Sequence, residues 1–122
     1  MARPERTYTD PELAALIARL PGWSVVDGWL TRRFQTDGWP TTLMLVNAIG
    51  YAAEAADHHP DLHVAWPSVT VKLRTHSANA ITQRDLELAA QIDAVALWRP
   101  PAGSETGLTG VSRPFVRGDK AR

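Results

Sequence analysis

The dipeptide Asp27-Gly28 does most to limit what this chain can become. It sits inside WSVVDGWLTRRFQT, between two short runs of valine, leucine and aromatic residues. Asp-Gly accepts the positive φ angles that a two-residue hairpin turn demands, so a strand is expected on each side of it. Trp23, Val25, Trp29 and Phe34 are the expected contributors to this sheet or its packing. A second pair of strands follows in DLHVAW and SVTVKLRTH, parted around Pro67-Ser68. In the later run Val69, Val71 and Leu73 alternate with Thr70, Lys72 and Arg74, which predicts one buried face and one wet face.

Three helical patterns separate and flank these pairs. TDPELAALIARLPGW opens with Thr9 and Glu12 at capping-box spacing and Pro11 in the first turn. Leu13, Leu16, Ile17 and Leu20 then form an apolar face, and Pro21-Gly22 is the expected stop. WPTTLMLVNAIGYAAEAADHH reads as a long central helix with Leu43, Val46, Ile49, Ala53 and Ala56 as its buried stripe and Pro60 enforcing its end. TQRDLELAAQIDAVAL is the third, with Thr82 and Asp85 as an aspartate version of the capping box and Leu86, Ala89 and Ile92 in phase. The order α-β-β-α-β-β-α predicts an α+β two-layer sandwich, a four-stranded antiparallel sheet with three helices on one face.

Length and composition agree with one such unit. The 122 residues suffice for a single core, and 44% hydrophobic with 21% charged residues is an ordinary globular balance. Thirteen basic residues offset thirteen acidic ones, so charge gives no argument for nucleic acid or an anionic membrane. There is no cysteine, which excludes disulfides and thiolate metal sites. MARPERTYTD has no signal-like apolar run, and nothing approaches the ~18 apolar residues of a membrane span. A soluble, cytoplasmic domain over residues 1–98 is the expectation. Residues 99–122 carry glycines and prolines, five basic against two acidic residues and no periodicity. They are expected to form a basic C-terminal tail, disordered or docked on a neighbour.

The chemistry concentrates in a short span. His58, His59, His63 and His76 lie within nineteen positions, covering the end of the central helix and the second strand pair. Imidazole, with an unperturbed pKa of about 6.5, moves protons in both directions near neutrality. Glu54, four residues before His58, is placed by helical spacing to orient that ring. His76, two residues beyond Arg74, is placed to come back toward the helix end. Each residue also has a plainer reading: exposed helix-end polarity for His58 and His59, a surface strand position for His63, a turn hydrogen bond for His76, a helix cap for Asp85 and a core aromatic for Trp66. A metal centre is not expected, because Pro60 lies between His59 and His63 and denies them a shared helix face.

The combination Glu54, His58-His59-Pro60, Trp66, His76 and Asp85 resembles the pattern of the pterin-4a-carbinolamine dehydratase family. LPGW, AADHHPDL, VTVKLRTH and ITQRDLELAAQID are similar to family segments, so the likeness covers residues 10 to 97. It implies the fold already derived from the element order. It also implies dehydration of 4a-hydroxytetrahydropterin to quinonoid dihydropterin with no metal or organic cofactor. By the resemblance His58, His59 and His76 are the acid–base set. Glu54, Asp57, Pro60, Thr75, Ser77, Ala78 and Asp85 are substrate-binding, with backbone around Thr75 to Ala78 holding the pterin's polar edge and Trp66 as a cleft wall. The turn after His76 reads SANAI where the family commonly has glycine, and Asn79 is the residue there that tolerates a left-handed backbone. The family also implies a homodimer or a dimer of dimers, with no direct nucleic-acid or membrane partner. One alternative within it is a dehydratase-like binding protein, such as a Rubisco assembly factor of the alpha-carboxysome or a regulatory dimerisation cofactor.

Overall fold

A computed structural model of the chain describes residues 6–103 and 105–118. The expected tail extends over residues 104 and 119–122, and the expected domain over residues 1–5, all outside the described residues. Three helices and four strands follow in the order α1 (Asp10–Ile17), β1 (Ser24–Val26), β2 (Trp29–Gln35), α2 (Trp39–Ala56), β3 (Asp61–Ala65), β4 (Ser68–Leu73) and α3 (Gln83–Ala96). The strands form one antiparallel sheet in the order β1-β2-β4-β3. This is the α+β architecture expected from the sequence.

Both hairpins close through two residues. Val26 pairs with Trp29 across Asp27 (φ 51°) and Gly28 (φ 82°), the positive angles that the Asp-Gly signal calls for. Ala65 pairs with Ser68 across Trp66-Pro67. The alternation in β4 sorts the two sides of the sheet. Leu30, Phe34, Val69, Val71 and Leu73 are fully buried, while Thr31, Arg33, Thr70 and Lys72 face the other way. Against the buried side lie Leu45, Ile49 and Ala52 of α2, Leu88, Ala89 and Ile92 of α3, and the partly buried Leu13, Ile17 and Leu20 of the α1 region. All three helices therefore cover one face.

Two helix starts behave as their sequences predict. Glu12 N–H donates to Thr9 Oγ1 at 3.3 Å and Thr9 N–H to Glu12 Oε1 at 2.9 Å, a complete capping box. Thr82 N–H likewise donates to Asp85 Oδ2 at 2.9 Å. The end of α1 comes earlier than Pro21-Gly22. The helix stops at Ile17, and tighter i→i−3 bonds at Arg19 and Leu20 carry the chain into the turn. Gly22 is required beyond it, since φ is +91° and a Cβ would stand 2.8 Å from Arg32 Cζ.

The buried stripe of α2 is a correction to the expectation. Thr42, Leu45, Ile49, Ala52 and Ala53 face inward, whereas Leu43 is 41% exposed and Ala56 also faces out. Both stripes have helical spacing, and a helix apolar on most sides does not choose between them. Thr42 makes the choice: its hydroxyl lies 2.7 Å from Thr36 Oγ1 and can donate to the carbonyls of Gly38 or Trp66 at 3.0 and 2.8 Å. Those partners lie inside, so the rotation that buries Thr42 turns Leu43 outward.

After α3 the chain returns to the domain. Val116 is buried in the core and forms a bridge with Thr36, and Arg117 N–H donates to Gln35 C=O at 2.7 Å. Arg113 forms an ion pair with Asp37.

Candidate active site

The end of α2 is set by backbone geometry before proline has any effect. Asp57 adopts a left-handed conformation, φ 51° and ψ 43°. His58 N–H donates to Ala53 C=O and Asp57 N–H to Glu54 C=O, each at 3.1 Å. These two bonds are a Schellman closure, which satisfies the last helical carbonyls and reverses the chain within one residue. His58 and His59 thus lie past the helix, and the expected i,i+4 relation between Glu54 and His58 does not form. His59 Nε2 takes the Glu54 carboxylate instead, at 2.8 Å, with both side chains well exposed.

His58 turns inward. Its Nε2 lies 2.6 Å from Asp85 Oδ1, and the ring is buried against a carboxylate with no exposed surface. Asp85 Oδ2 accepts from the Thr75 hydroxyl at 2.8 Å and from Thr82 N–H at 2.9 Å. A carboxylate accepting from these donors accepts from His58 Nε2–H as well, which leaves Nδ1 as the ring nitrogen that Asp85 does not engage. Asp85 completes the capping box of α3 and also meets His58, which bears out its reading as a capping residue; it does not itself line the cavity. Thr75 Oγ1 also lies 2.7 Å from Thr82 Oγ1, which locks the end of β4 to the start of α3.

His76 is in a turn, three residues past the end of β4, and not at the end of the strand as the alternation suggested. Residues 76–79 form it, closed by the Thr75–Ala80 bridge, with Asn79 at φ 51° in the left-handed position and Ala80 outside that region. The N–H groups of Thr75 and Ala78 are committed within this turn, to Ala80 C=O and Thr75 C=O. His76 itself is exposed and meets the edge of Trp29 with ring centroids 6.0 Å apart.

A cavity of about 370 Å³ opens between these pieces. Asp57, His58, His59, Pro60, Thr75, His76 and Ser77 line it, so the structure brings three of the four histidines together. Asp85 stands behind His58 and Glu54 beside His59, each one bond removed from the cavity. Ala78 is in the turn and outside the lining. Trp66 is elsewhere: it occupies the far turn of the β3–β4 hairpin, roughly 16 Å along the strand from Asp61 at ~3.3 Å per residue, and is 67% exposed. His63 is on the exposed side of β3. Three lining residues went unnoticed in the sequence, Asp61, Arg74 and Arg84. Arg74 carried a signal, because it shares the wet phase of β4 with Lys72 and is two residues from His76.

Small antiparallel α+β sandwiches with a histidine-lined cavity at one end of the sheet form the class to which this molecule belongs. Residues 6–95 match the model of the family described as Pterin 4 alpha carbinolamine dehydratase, and the chain belongs to that family. A protein of Aquifex aeolicus, provisionally named a pterin-4-alpha-carbinolamine dehydratase, is 43% identical over 88 residues, which are 72% of this chain and 89% of that one. A Nocardia farcinica protein with the same provisional name is 40% identical over 72% of this chain and 93% of its own. Among solved structures, a transcriptional coactivator/pterin dehydratase from Brucella melitensis superposes with a TM-score of 0.70 at 32% identity, covering 75% of this chain and 99% of that one. A pterin dehydratase-like protein identified as a RuBisCO assembly factor in the alpha-carboxysome gives 0.50 at 20% identity, over 61% and 86% of the two chains. That last likeness is one of fold. Among the described residues no helix is long and apolar enough to cross a membrane.

Proposed function

We propose that this protein dehydrates 4a-hydroxytetrahydropterin to quinonoid dihydropterin by histidine acid–base catalysis. The observation that carries this reading is the convergence of His58, His59 and His76 on one cavity, with Asp85 buried behind His58. The reaction removes the proton from a ring nitrogen and the hydroxyl from the adjacent ring carbon. The nitrogen lone pair becomes the new C=N bond as the C–O bond breaks, and the hydroxyl takes a proton and leaves as water. One base and one acid are needed, and imidazoles set around a single ligand supply both. His58, with its Nε2 proton committed to Asp85, offers Nδ1. His59 and His76 are the more exposed members, and one of them supplies the second group.

The same reading assigns Asp57, Pro60, Thr75 and Ser77 to the substrate's surroundings and Glu54 to the orientation of His59. A dimer through the sheet edges or a dimer of dimers belongs to this proposal, and β1 and β3 are the edge strands such pairing would use. The alternative of a carboxylase assembly factor shares only the fold with its solved example. The test is incubation of the purified protein with freshly generated 4a-hydroxytetrahydropterin. Acceleration over the spontaneous dehydration is expected, and no acceleration at a concentration where a known dehydratase works would sink the reading.

A further inference from the structure

Dehydration of a neutral pterin makes no use of one feature of this cavity. Arg74 lines it beside the histidines, one residue past the end of β4. The β2–β4 register, with Leu30 opposite Leu73, continues to place Arg74 across from Trp29 on the wet side of the sheet. The Arg74 guanidinium lies 5.9 Å from the Trp29 ring centroid, and Lys72 Nζ lies 5.0 Å from the same centroid. His76 meets that indole edge-on. Two cations and a site histidine thus share one aromatic side chain; Arg74 and His76 line the cavity, and Lys72 and Trp29 adjoin them outside its lining.

These cations are held and are short of acceptors. Arg74 Nη2 donates to Asn79 C=O at 2.9 Å, which ties the guanidinium to the His76 turn. Its Nε is buried and has no hydrogen-bond partner among the described residues. Neither Arg74 nor Lys72 forms an ion pair among those residues, although Asp57 and Asp61 also line the cavity and Asp61 stands opposite Lys72 in the β3–β4 register. A buried charged donor with no acceptor is destabilising, and most buried polar groups have a partner. The buried Nε lies out of a ligand's reach, but an oxyanion delivered with the substrate would supply an acceptor for the Nη hydrogens that Asn79 C=O does not take. Guanidinium groups bind carboxylates and phosphates through strong charge-assisted bonds, whereas the uncharged pterin ring offers such a group little.

We propose that the cavity takes a pterin whose side chain ends in an anionic group, a phosphate or a carboxylate, held by Arg74 and Lys72 beside Trp29. This rests on the pterin reading above and adds the class of substituent. Arg74 and Lys72 are then specificity-determining residues, placed so that the anion lies at the cavity mouth and the ring among the histidines.

The test is titration calorimetry of the full chain with dihydroneopterin, its phosphate ester and carboxypterin. At low salt the phosphate ester or the carboxylate should bind at least about tenfold more tightly than neutral dihydroneopterin, and added salt should shrink the ratio. Whichever anion carries the advantage identifies the substituent. In Arg74→Gln the ratio should fall to near one, and Lys72→Thr should lower it by a smaller factor. Equal binding of all three ligands to the wild type would overturn the inference and leave the pterin reading in place. A full ratio retained in both variants would also overturn it. Failure of every pterin to bind would remove the pterin reading itself.

Discussion

His58 Nε2 and Asp85 Oδ1 lie 2.6 Å apart, joining the second residue past α2 to the first turn of α3 across 27 positions of sequence. The contact links stability to chemistry, because the carboxylate that orients the imidazole also starts a helix. His58→Ala removes one of three donors to a fully buried carboxylate and should cost stability by about 1–3 kcal/mol or more. His76→Ala touches an exposed turn residue and should leave the unfolding midpoint nearly unchanged. Both should slow dehydration, each by roughly a hundredfold or more if they act as acid or base. Urea denaturation alongside a pterin dehydration assay separates the two effects.

Glu54→Gln bears on which histidine needs its carboxylate. The Glu54–His59 pair is solvent-exposed, and exposed pairs contribute less than ~1 kcal/mol. The rate of dehydration should therefore change by less than about fivefold. A loss comparable to that in His76→Ala would show that His59 depends on Glu54 far more than an exposed pair allows.

Asn79 holds the turn that presents His76, with φ at 51°. Asn79→Gly should be accepted without loss of stability, and Asn79→Ala should cost about 1 kcal/mol, the penalty of a Cβ in a left-handed conformation. Thermal unfolding of the two variants checks the difference. Equal stability would mean that the turn relaxes to a different backbone.

The returning C-terminal segment is expected to contribute to the core. Val116→Ala removes two buried methyl groups and should lower stability by about 1–3 kcal/mol. The urea midpoint should fall with no change in the slope of the transition. Wild-type stability in this variant would contradict the burial of Val116.

Asp37 anchors that segment and introduces a pH dependence. Its carboxyl is held below its ordinary value of 3.8, chiefly by a hydrogen bond from Thr41 and further by the Arg113 guanidinium. A folded value below the unfolded one stabilises the fold above the unfolded value, and that contribution is lost as pH falls through the folded value. The acid side of the stability profile should be shallower in Asp37→Asn than in the wild type. Identical profiles of urea midpoint against pH would contradict the assignment.

Much of this protein was determined by the sequence alone, wherever the deciding interactions span only a few residues. Thr9 with Glu12 and Thr82 with Asp85 begin helices through bonds three positions apart. Asp27-Gly28 turns a hairpin because few other residues accept its φ angles. The alternation of Val69, Val71 and Leu73 selects the buried side of the sheet through side-chain period alone. The residues of the histidine cluster were also legible, as types and spacings.

Their partners were decided only by the tertiary structure. Helical spacing offered Glu54 to His58, but the left-handed Asp57 ends the helix three residues early, at Ala56, passing Glu54 to His59 and turning His58 toward Asp85. The buried face of α2 followed Thr42 because its hydrogen-bond partners, Thr36 and the Trp66 carbonyl, come from other parts of the chain. Trp66 was carried away from the cavity by the length of the β3–β4 hairpin, and Arg74 was brought to it by register with Trp29. Local dihedral limits and short-range hydrogen bonds are written in neighbouring residues. Which distant groups meet depends on how the elements pack, and a single residue in the left-handed region was enough to redirect two histidines.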